Sequence, residues 1–449
     1  MSRARAAIIL AAGQGTRMKS DLPKVLHPVG GRAILDWAIA AAAGTGAERV
    51  IAVVAARRPQ VREHAAKALG AGNVVVQDLP LGTAHAVRAA QAALAGFSGD
   101  VVVLYADAPL VRAQTLQALF AARNDSGLAV LAFRAADPAG YGRLVVDEQG
   151  RLIRIVEEKD ASEAERRIDL CNSGVLCADA GVLFKLLSMV KNDNAKGEYY
   201  LTDIIGLGRS AGFASAVVSA SETEVLGVNS RVDLARAEAA FQHRARIAAM
   251  EAGVTLIDPS TVYFSHDTQI ASDVVIEPNV YFGLGVTIAK GVRIKAFCHI
   301  EGAEIGEDAN VGPFARLRPG TTLGAGVKIG NFVEVKNASF GPRAQASHLA
   351  YIGDAEIGAR ANLGAGTITC NYDGFSKYRT LIGEDAFIGS DTSLVAPVKV
   401  GARAYTGTGS VITKDVPDGA LGVARGRQHN IEGWADANRA KKRKAKDEA

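Results

Sequence analysis

Three stretches of this chain hold residue types able to handle phosphate, metal ions and protons. The first is Leu10-Ala11-Ala12-Gly13-Gln14-Gly15-Thr16-Arg17-Met18, followed by Leu22-Pro23-Lys24. Glycines let backbone N–H groups close on a phosphate chain, and Arg17 and Lys24 can offset its charge. The second runs from Val101 to Leu110, where Tyr105-Ala106-Asp107 ends an apolar run. A carboxylate there suits a Mg²⁺ ligand beside phosphates. Both have plainer readings. The glycine stretch matches neither the Walker nor the six-residue dinucleotide pattern and equally describes a strand–helix turn, while Asp107 equally describes a helix N-cap. The third stretch holds His348 between Lys336 and Tyr351, a candidate general base. Its plain reading is an inert surface histidine.

These groups need rigid elements behind them. Residues 1–230 alternate apolar runs with alanine-rich segments, the signature of a Rossmann-like α/β sheet covered on both faces. Strands are expected at Ala7–Leu10, Val50–Val54, Val74–Val76, Val101–Tyr105 and Ala129–Phe133. Ligands of such sheets collect beyond the carboxyl ends of the strands, where the first two stretches lie. Residues 231–252 contain an Ala-, Arg- and Glu-rich run without Gly or Pro through Met250, which predicts a helix linking two bodies.

From Ile270 onward aliphatic residues recur in steps of six, occasionally five. The ladder reads Ile270, Ile276, Phe282, Ile288, Ile294, Ile300, then Ile305, Val311, Leu317, Leu323, Ile329, Val335. It continues through Phe340, Ala346, Ile352, Ile357 and Leu363, and resumes at Ile382, Ile388, Leu394 and Val400. A hexapeptide period fits neither a helix nor a hairpin. It fits a parallel β-helix over residues 253–435, three short strands per coil of roughly 18 residues, expected to wind left-handed. His348 follows rung Ala346 by two and should point away from the packed axis. The one long interruption, with Asn371–Arg379 inside it, reads as an ejected loop of the kind that carries function.

Composition narrows the classes further. Net charge is +4, but Arg439, Lys441, Lys442, Arg443, Lys444 and Lys446 lie in the final stretch, and the rest of the chain stands at −2. The body is therefore no polyanion-binding surface by charge, and residues 436–449 read as a disordered basic tail. Four cysteines without a C-x-x-C pair argue against zinc or a disulfide framework and for a reducing, cytoplasmic setting. The apolar run near Met1 is short and enters the glycine stretch directly, so it reads as a first strand rather than a signal peptide. No stretch is long enough to span a membrane. Neither nucleic-acid nor membrane partners are expected.

Taken together, Leu-x-x-Gly-x-Gly-Thr-Arg-Met…Pro-Lys and a strand ending in Asp resemble the sugar-phosphate nucleotidyltransferases. The coil adds Lys336-Asn337, Ser347-His348-Leu349-Ala350-Tyr351 and Gly364-Ala-Gly-Thr-Ile-Thr-Cys-Asn-Tyr-Asp-Gly374. With these, the chain resembles nearly end to end, the basic tail excepted, the bacterial bifunctional N-acetylglucosamine-1-phosphate uridylyltransferase/glucosamine-1-phosphate acetyltransferase family. That resemblance implies acetyl transfer from acetyl-CoA to glucosamine 1-phosphate in the coil. Uridylyl transfer from UTP to N-acetylglucosamine 1-phosphate would follow in the N-terminal domain, with Mg²⁺, in a homotrimer. A single-activity nucleotidyltransferase with a regulatory or assembly coil is the alternative.

The resemblance also implies roles. Leu10, Ala11, Ala12, Gly13 and Lys24 would line the UTP site, with Lys24 and Arg17 countering phosphate charge. Gln77, Gly82 and Thr83 would read the uracil. Tyr105, Ala106, Asp107, Gly140, Glu157 and Asn172 would hold the sugar nucleotide, and Asn229 would join Asp107 on the metal. Without the resemblance, Glu157 reads as a solvated charge and Asn172 as a turn residue. In the coil His348 would be the base, Arg318 and Lys336 the phosphate ligands, and Tyr351 and Asn362 sugar contacts. Ala365, Asn371, Tyr372, Ser390, Thr408 and Arg425 would contact acetyl-CoA, with Glu334, Lys377 and Arg379 as helpers. Two positions depart from the family pattern: Ala106, more often glycine, and Thr408, frequently alanine.

Overall fold

The computed structural model describes residues 3–13 and 15–447; Gln14 of the glycine stretch lies outside them. The chain divides into two compact units, Met1–Ala245 and Arg246–Ala449.

In the first unit every expected strand forms. Strands Ala214–Ser219, Gly127–Arg134, Leu170–Asp179, Asp100–Tyr105, Arg5–Ala11, Arg49–Ala55 and Val74–Gln77 lie side by side in that order. The hairpin Arg143–Val146/Leu152–Val156 hangs from Leu170–Asp179. Ala6 to Ala11 are all buried, as strands covered on both faces require. Ile8 and Leu10 enter the core on one face, Ala7 and Ile9 that on the other. Leu170–Asp179 runs antiparallel to both neighbours and was not expected. Asn172-Ser173-Gly174 breaks its apolar run, and the register shifts there. Arg5–Ala11 carries Arg49–Ala55 on one side and Asp100–Tyr105 on the other, so the chain order reverses at this strand. The crevice beyond such a reversal is where open α/β sheets bind ligands.

The helix after the sheet spans Arg231–Glu251. It is more than a linker, because Ala237 and Phe241 are buried in a small core with Met18, Val29, Ile34, Leu110 and Val228. A side chain at Gly30 would place its Cβ 2.4 Å from the Phe241 ring.

The second unit is the expected parallel coil. Val275–Ile276 pairs with Arg293–Ile294, which pairs with Asn310–Val311, and so on to Phe387–Ile388 in one column. Glu334–Phe340 turns a corner and pairs in two columns. All the ladder residues are buried except Ile270, half-buried because Gln269–Ile270 starts its column with no strand beneath. The interruption is shorter than the ladder indicates. Thr369 occupies the next inward position, its Oγ1 accepting the Gly353 N–H at 2.7 Å and donating to the Gly353 carbonyl at 3.0 Å. Satisfied in this way, a hydroxyl stands in for an aliphatic rung. Chain 371–379 leaves the coil, with Phe375 96% exposed, and re-enters at Thr380–Ile382. At one corner Phe297, Phe314, Phe332 and Leu349 adopt left-handed φ and form an exposed apolar ridge, with ring centroids 4.8 and 5.2 Å apart.

The basic end differs from expectation. Trp434–Asp447 is helical, with no buried residue. Alanine, lysine and arginine are strong helix formers, which charge-based reasoning about disorder overlooks. The four cysteines are free. Among the described residues no helix is long and apolar enough to cross a membrane.

Candidate active sites

At the sheet's reversal point a cavity of about 350 Å³ is lined by Leu10, Ala11, Ala12, Gly13, Lys24, Gln77, Gly82, Thr83, Tyr105 and Asp107. Two glycines shape it. Gly15 has φ 63°, and a Cβ there would lie 2.7 Å from Lys24 Cβ. Gly82 has φ 110°, and its Cβ would lie 2.5 Å from the Tyr199 carbonyl oxygen. The Lys24 ammonium donates to Asp107 Oδ2 at 2.6 Å and to Asn229 Oδ1 at 3.0 Å. Two oxygen donors from distant segments thus converge on one cation. The donor set fits a hard divalent ion that completes its shell with phosphate and water. Arg17 sits exposed on the turn Thr16–Met18 and does not line the cavity. Ala106 is fully buried in the core, so its methyl does not narrow the cavity.

Tyr105 connects this cavity to a second group. Burial pushes its phenol pKa up, and a Cβ at Gly174 would touch its ring at 2.6 Å. Asn172 Oδ1 accepts the Gly174 N–H at 3.0 Å, and the Asn172 N–H donates to the Gly142 carbonyl at 2.8 Å. A Cβ on Gly142 would stand 3.6 Å from Glu157 Oε1. Gly140, at φ 86°, donates its N–H to Glu158 at 3.4 Å. Gly140, Glu157 and Asn172 therefore gather around Gly142, outside the first cavity. Sequence reasoning missed the segment from Glu198 to Asp203. Glu198 lines the cavity, Leu201 N–H donates to Thr83 Oγ1 at 3.0 Å, and Thr202 donates to Glu157 Oε1 at 3.2 Å. Its only signal was a polar turn before a short helix. Glu157, Asp160 and Asp203 face a pocket of about 290 Å³. Burial raises the Glu157 carboxyl pKa. Asp203 is pushed up to about 6 by burial first, then by repulsion from Glu157 and Asp160.

In the coil, register does the gathering. Ile329, Ala346, Leu363, Ile388 and Thr406 stand in one inward column. Two residues past each come Asn331, His348, Ala365, Ser390 and Thr408, which rise along one corner. Arg425 closes the column by donating to the Thr408 carbonyl at 3.0 Å. His348 is exposed, and its Nδ1 lies 2.7 Å from Asn331 Oδ1. An amide oxygen only accepts, so Nδ1 carries the proton and Nε2 is free to take one. Asn331 was missed because a lone Asn beside a glycine reads as a turn residue. Asn362 lies on the adjoining face, opposite Gln345.

Around the corner, Glu334, Tyr351 and Ile368 stack in register, as do Lys336 and Gly353. Arg318 pairs with Glu334 at 2.8 Å. Asn337 and Asn371 both donate to Asp354. Burial opposes the Asp354 carboxylate, yet those hydrogen bonds, with Lys336 and Lys377 near by, hold its pKa below the ordinary value. The Lys377 ammonium meets that of Lys336, which lowers the Lys377 pKa. Two ammonium groups set side by side in this way can offset the charge of an anion such as a phosphate. Tyr372 stands exposed at the base of the loop. Arg379 pairs with Glu356 at 2.8 Å, not with the other helpers.

Comparison with known proteins agrees with both halves. Residues 7–169 match the MobA-like NTP transferase domain. Residues 302–337 match the bacterial transferase hexapeptide (six repeats), and 379–414 the hexapeptide repeat of succinyl-transferase. The "Bifunctional protein GlmU" of Hyphomonas neptunium is 56% identical over 98% of this chain and 95% of its own. That of Maricaulis maris is 59% identical over 97% and 96%, and that of Caulobacter vibrioides 55% over 99% and 96%.

The raised Asp203 carboxyl has a pH signature. The folded state holds this proton more tightly than the unfolded chain, so stability falls as pH rises from the ordinary carboxylate range through about 6. Asp203→Asn should flatten that slope, so that the variant gains melting temperature over the parent at pH 7 but not at pH 4. Parallel melting curves at both pH values would refute it.

Proposed function

This chain belongs to the bifunctional GlmU family, and on that premise we propose how its two units divide the work. It is a bifunctional transferase of UDP-N-acetylglucosamine synthesis. The coil moves the acetyl group of acetyl-CoA onto glucosamine 1-phosphate. The N-terminal unit then joins the resulting N-acetylglucosamine 1-phosphate to the uridylyl group of UTP. The observation that carries the assignment is one of placement: the converging Asp107, Asn229 and Lys24 sit at the sheet's reversal point, and His348 stands in the corner column.

In uridylyl transfer a phosphate oxygen of the sugar phosphate attacks the α-phosphorus of UTP, and the bond to pyrophosphate breaks. The nucleophile is already an anion, so no strong base is required. The work is to hold two repelling phosphates in line. Backbone N–H groups of the glycine stretch and the Lys24 ammonium take the UTP phosphates, while Gln77, Gly82 and Thr83 take the uracil. Tyr105, Gly140, Glu157 and Asn172 hold the sugar nucleotide. Asp107 and Asn229 would hold Mg²⁺, which supplies charge compensation for the departing pyrophosphate. Arg17 could reach the phosphates only from the exposed turn.

In acetyl transfer an amine must lose a proton as it attacks the thioester carbonyl. The C–N bond forms, the C–S bond breaks, and the sulfur leaves as thiol once protonated. His348 Nε2 takes the proton, and Asn331 holds the ring in the required tautomer. Lys336, with Lys377 and Arg318, binds the phosphate, and Tyr351 and Asn362 contact the sugar. Acetyl-CoA lies along Ala365, Ser390, Thr408 and Arg425, with Asn371 and Tyr372 beside it. We place the protein in the cytoplasm, a setting that suits its free cysteines. The apolar ridge Phe297, Phe314, Phe332 and Leu349, exposed beside His348, supports a homotrimer with CoA contacts shared between copies.

His348→Ala should lower acetyl transfer about 10²- to 10⁴-fold and leave uridylyl transfer and the melting temperature unchanged. Loss of both activities together would mark a structural histidine. Asp107→Ala should abolish Mg²⁺-dependent pyrophosphate release while sparing acetylation; normal release would show that Asp107 is no metal ligand, and it caps no helix either, since the next one, Ala113–Ser126, starts from Arg112. Sedimentation equilibrium should give three times the chain mass, and a fully acetylating monomer would contradict the shared site.

A further inference from the structure

The largest fully buried side chain among the described residues is not apolar: it is Arg143, 1% exposed. Burying a guanidinium is costly unless its partners are well placed, and an aliphatic side chain would fill the same space without that cost. The partners of Arg143 are therefore informative. Nη2 donates to Glu158 Oε2 at 2.6 Å and to the Arg166 carbonyl at 3.3 Å, and Nη1 donates to the Tyr141 carbonyl. Arg166 Nε returns a bond to the Glu158 carbonyl at 3.4 Å. Three separate segments, the 138–142 turn, the 157–160 turn and the end of the Glu163–Arg166 helix, are tied to one guanidinium.

The backbone of Arg143 is equally central. It pairs with Val156 on one side and Cys171 on the other. The residues that follow those partners are Glu157 and Asn172. The third member of the group, Gly140, gives its N–H to the same Glu158 oxygen that Arg143 holds. We infer that Arg143 is the positioning residue of the sugar subsite: its ion pair with Glu158 sets the spacing of Gly140, Glu157 and Asn172 without touching substrate. This rests on the sugar-contact assignment proposed above and extends it to residues behind the contact surface. The ion pair holds Glu158 in its charged form, through the hydrogen bond from Arg143 first, so the tie keeps its charge across the working pH range.

Arg143→Lys preserves the charge but offers one ammonium in place of a fork, so it cannot reach three acceptors at once. In the full-length protein it should raise KM for N-acetylglucosamine 1-phosphate about tenfold. KM for UTP and acetyl transfer should stay within about twofold. Glu158→Gln removes the ion pair from the other end and should move the same KM in the same direction by less. A residue that served packing alone would lower the melting temperature and leave the two KM values in their original ratio. Unchanged sugar KM in both variants, or equal rises for sugar and UTP, overturns the inference. If Arg143→Lys does not fold, Glu158→Gln decides alone, a sugar-specific KM rise supporting the role and its absence refuting it. Failure of the unmodified protein to use N-acetylglucosamine 1-phosphate would instead strike the functional assignment itself.

Discussion

Parallel pairing is the constraint on which both units depend. In the sheet it brings the ends of Arg5–Ala11 and Asp100–Tyr105 to one edge, so the glycine stretch and Asp107 meet although about ninety residues separate them. In the coil it stacks like positions over like. Once Ile329, Ala346, Leu363 and Ile388 must face inward, Asn331, His348, Ala365 and Ser390 have no choice of corner. Neither site required its residues to be near in sequence. Each required only that the strands keep register, which the burial of their apolar residues enforces.

The two sites handle charge in opposite ways. Lys24 is buried and already answered by Asp107 and Asn229, so its position is set by the protein alone. The Lys336 and Lys377 ammonium groups are left facing each other, with Asp354 occupied by two asparagines as well. An anion held between them would relieve that repulsion. The pair Glu157 and Asp203 is the mirror case, where burial first and then repulsion among neighbouring carboxylates favour protonation.

Much of this was legible in the residues. A six-residue period sustained over many rungs admits few folds, and apolar runs ending in glycine or aspartate mark strand ends that carry chemistry. What escaped detection had physical reasons. Thr369 hid a rung because a hydroxyl satisfied by Gly353 serves where period counting seeks an aliphatic. Leu170–Asp179 hid a central strand because Asn172 and Gly174 interrupt it at the very place where it approaches Tyr105. Asn331, Thr202 and Arg143 act through other side chains, and their types carry no signal until the register is known. Arg17 is a different case: its type suits phosphate, and the Thr16–Met18 turn leaves it exposed, outside the lining of the cavity.

The shape of the coil also limits how its length can change. Each turn counts residues, and Thr380–Ile382 stacks on Ala355–Ile357 as though chain 371–379 were not there. Single residues are gained or lost at one corner, ahead of Ile305, Leu323, Phe340 and Ile357, where turns of 17 and 18 residues follow one another. The same change between Ile382 and Leu394 would turn later side chains out of the axis and pull Ser390 and Thr408 off the corner that His348 shares. The same change inside 371–379 would be absorbed before re-entry. Over evolutionary time such a protein can vary in length at its ejected loop, at that one corner or by whole turns, and hardly anywhere between, so its packing has a reading frame of its own.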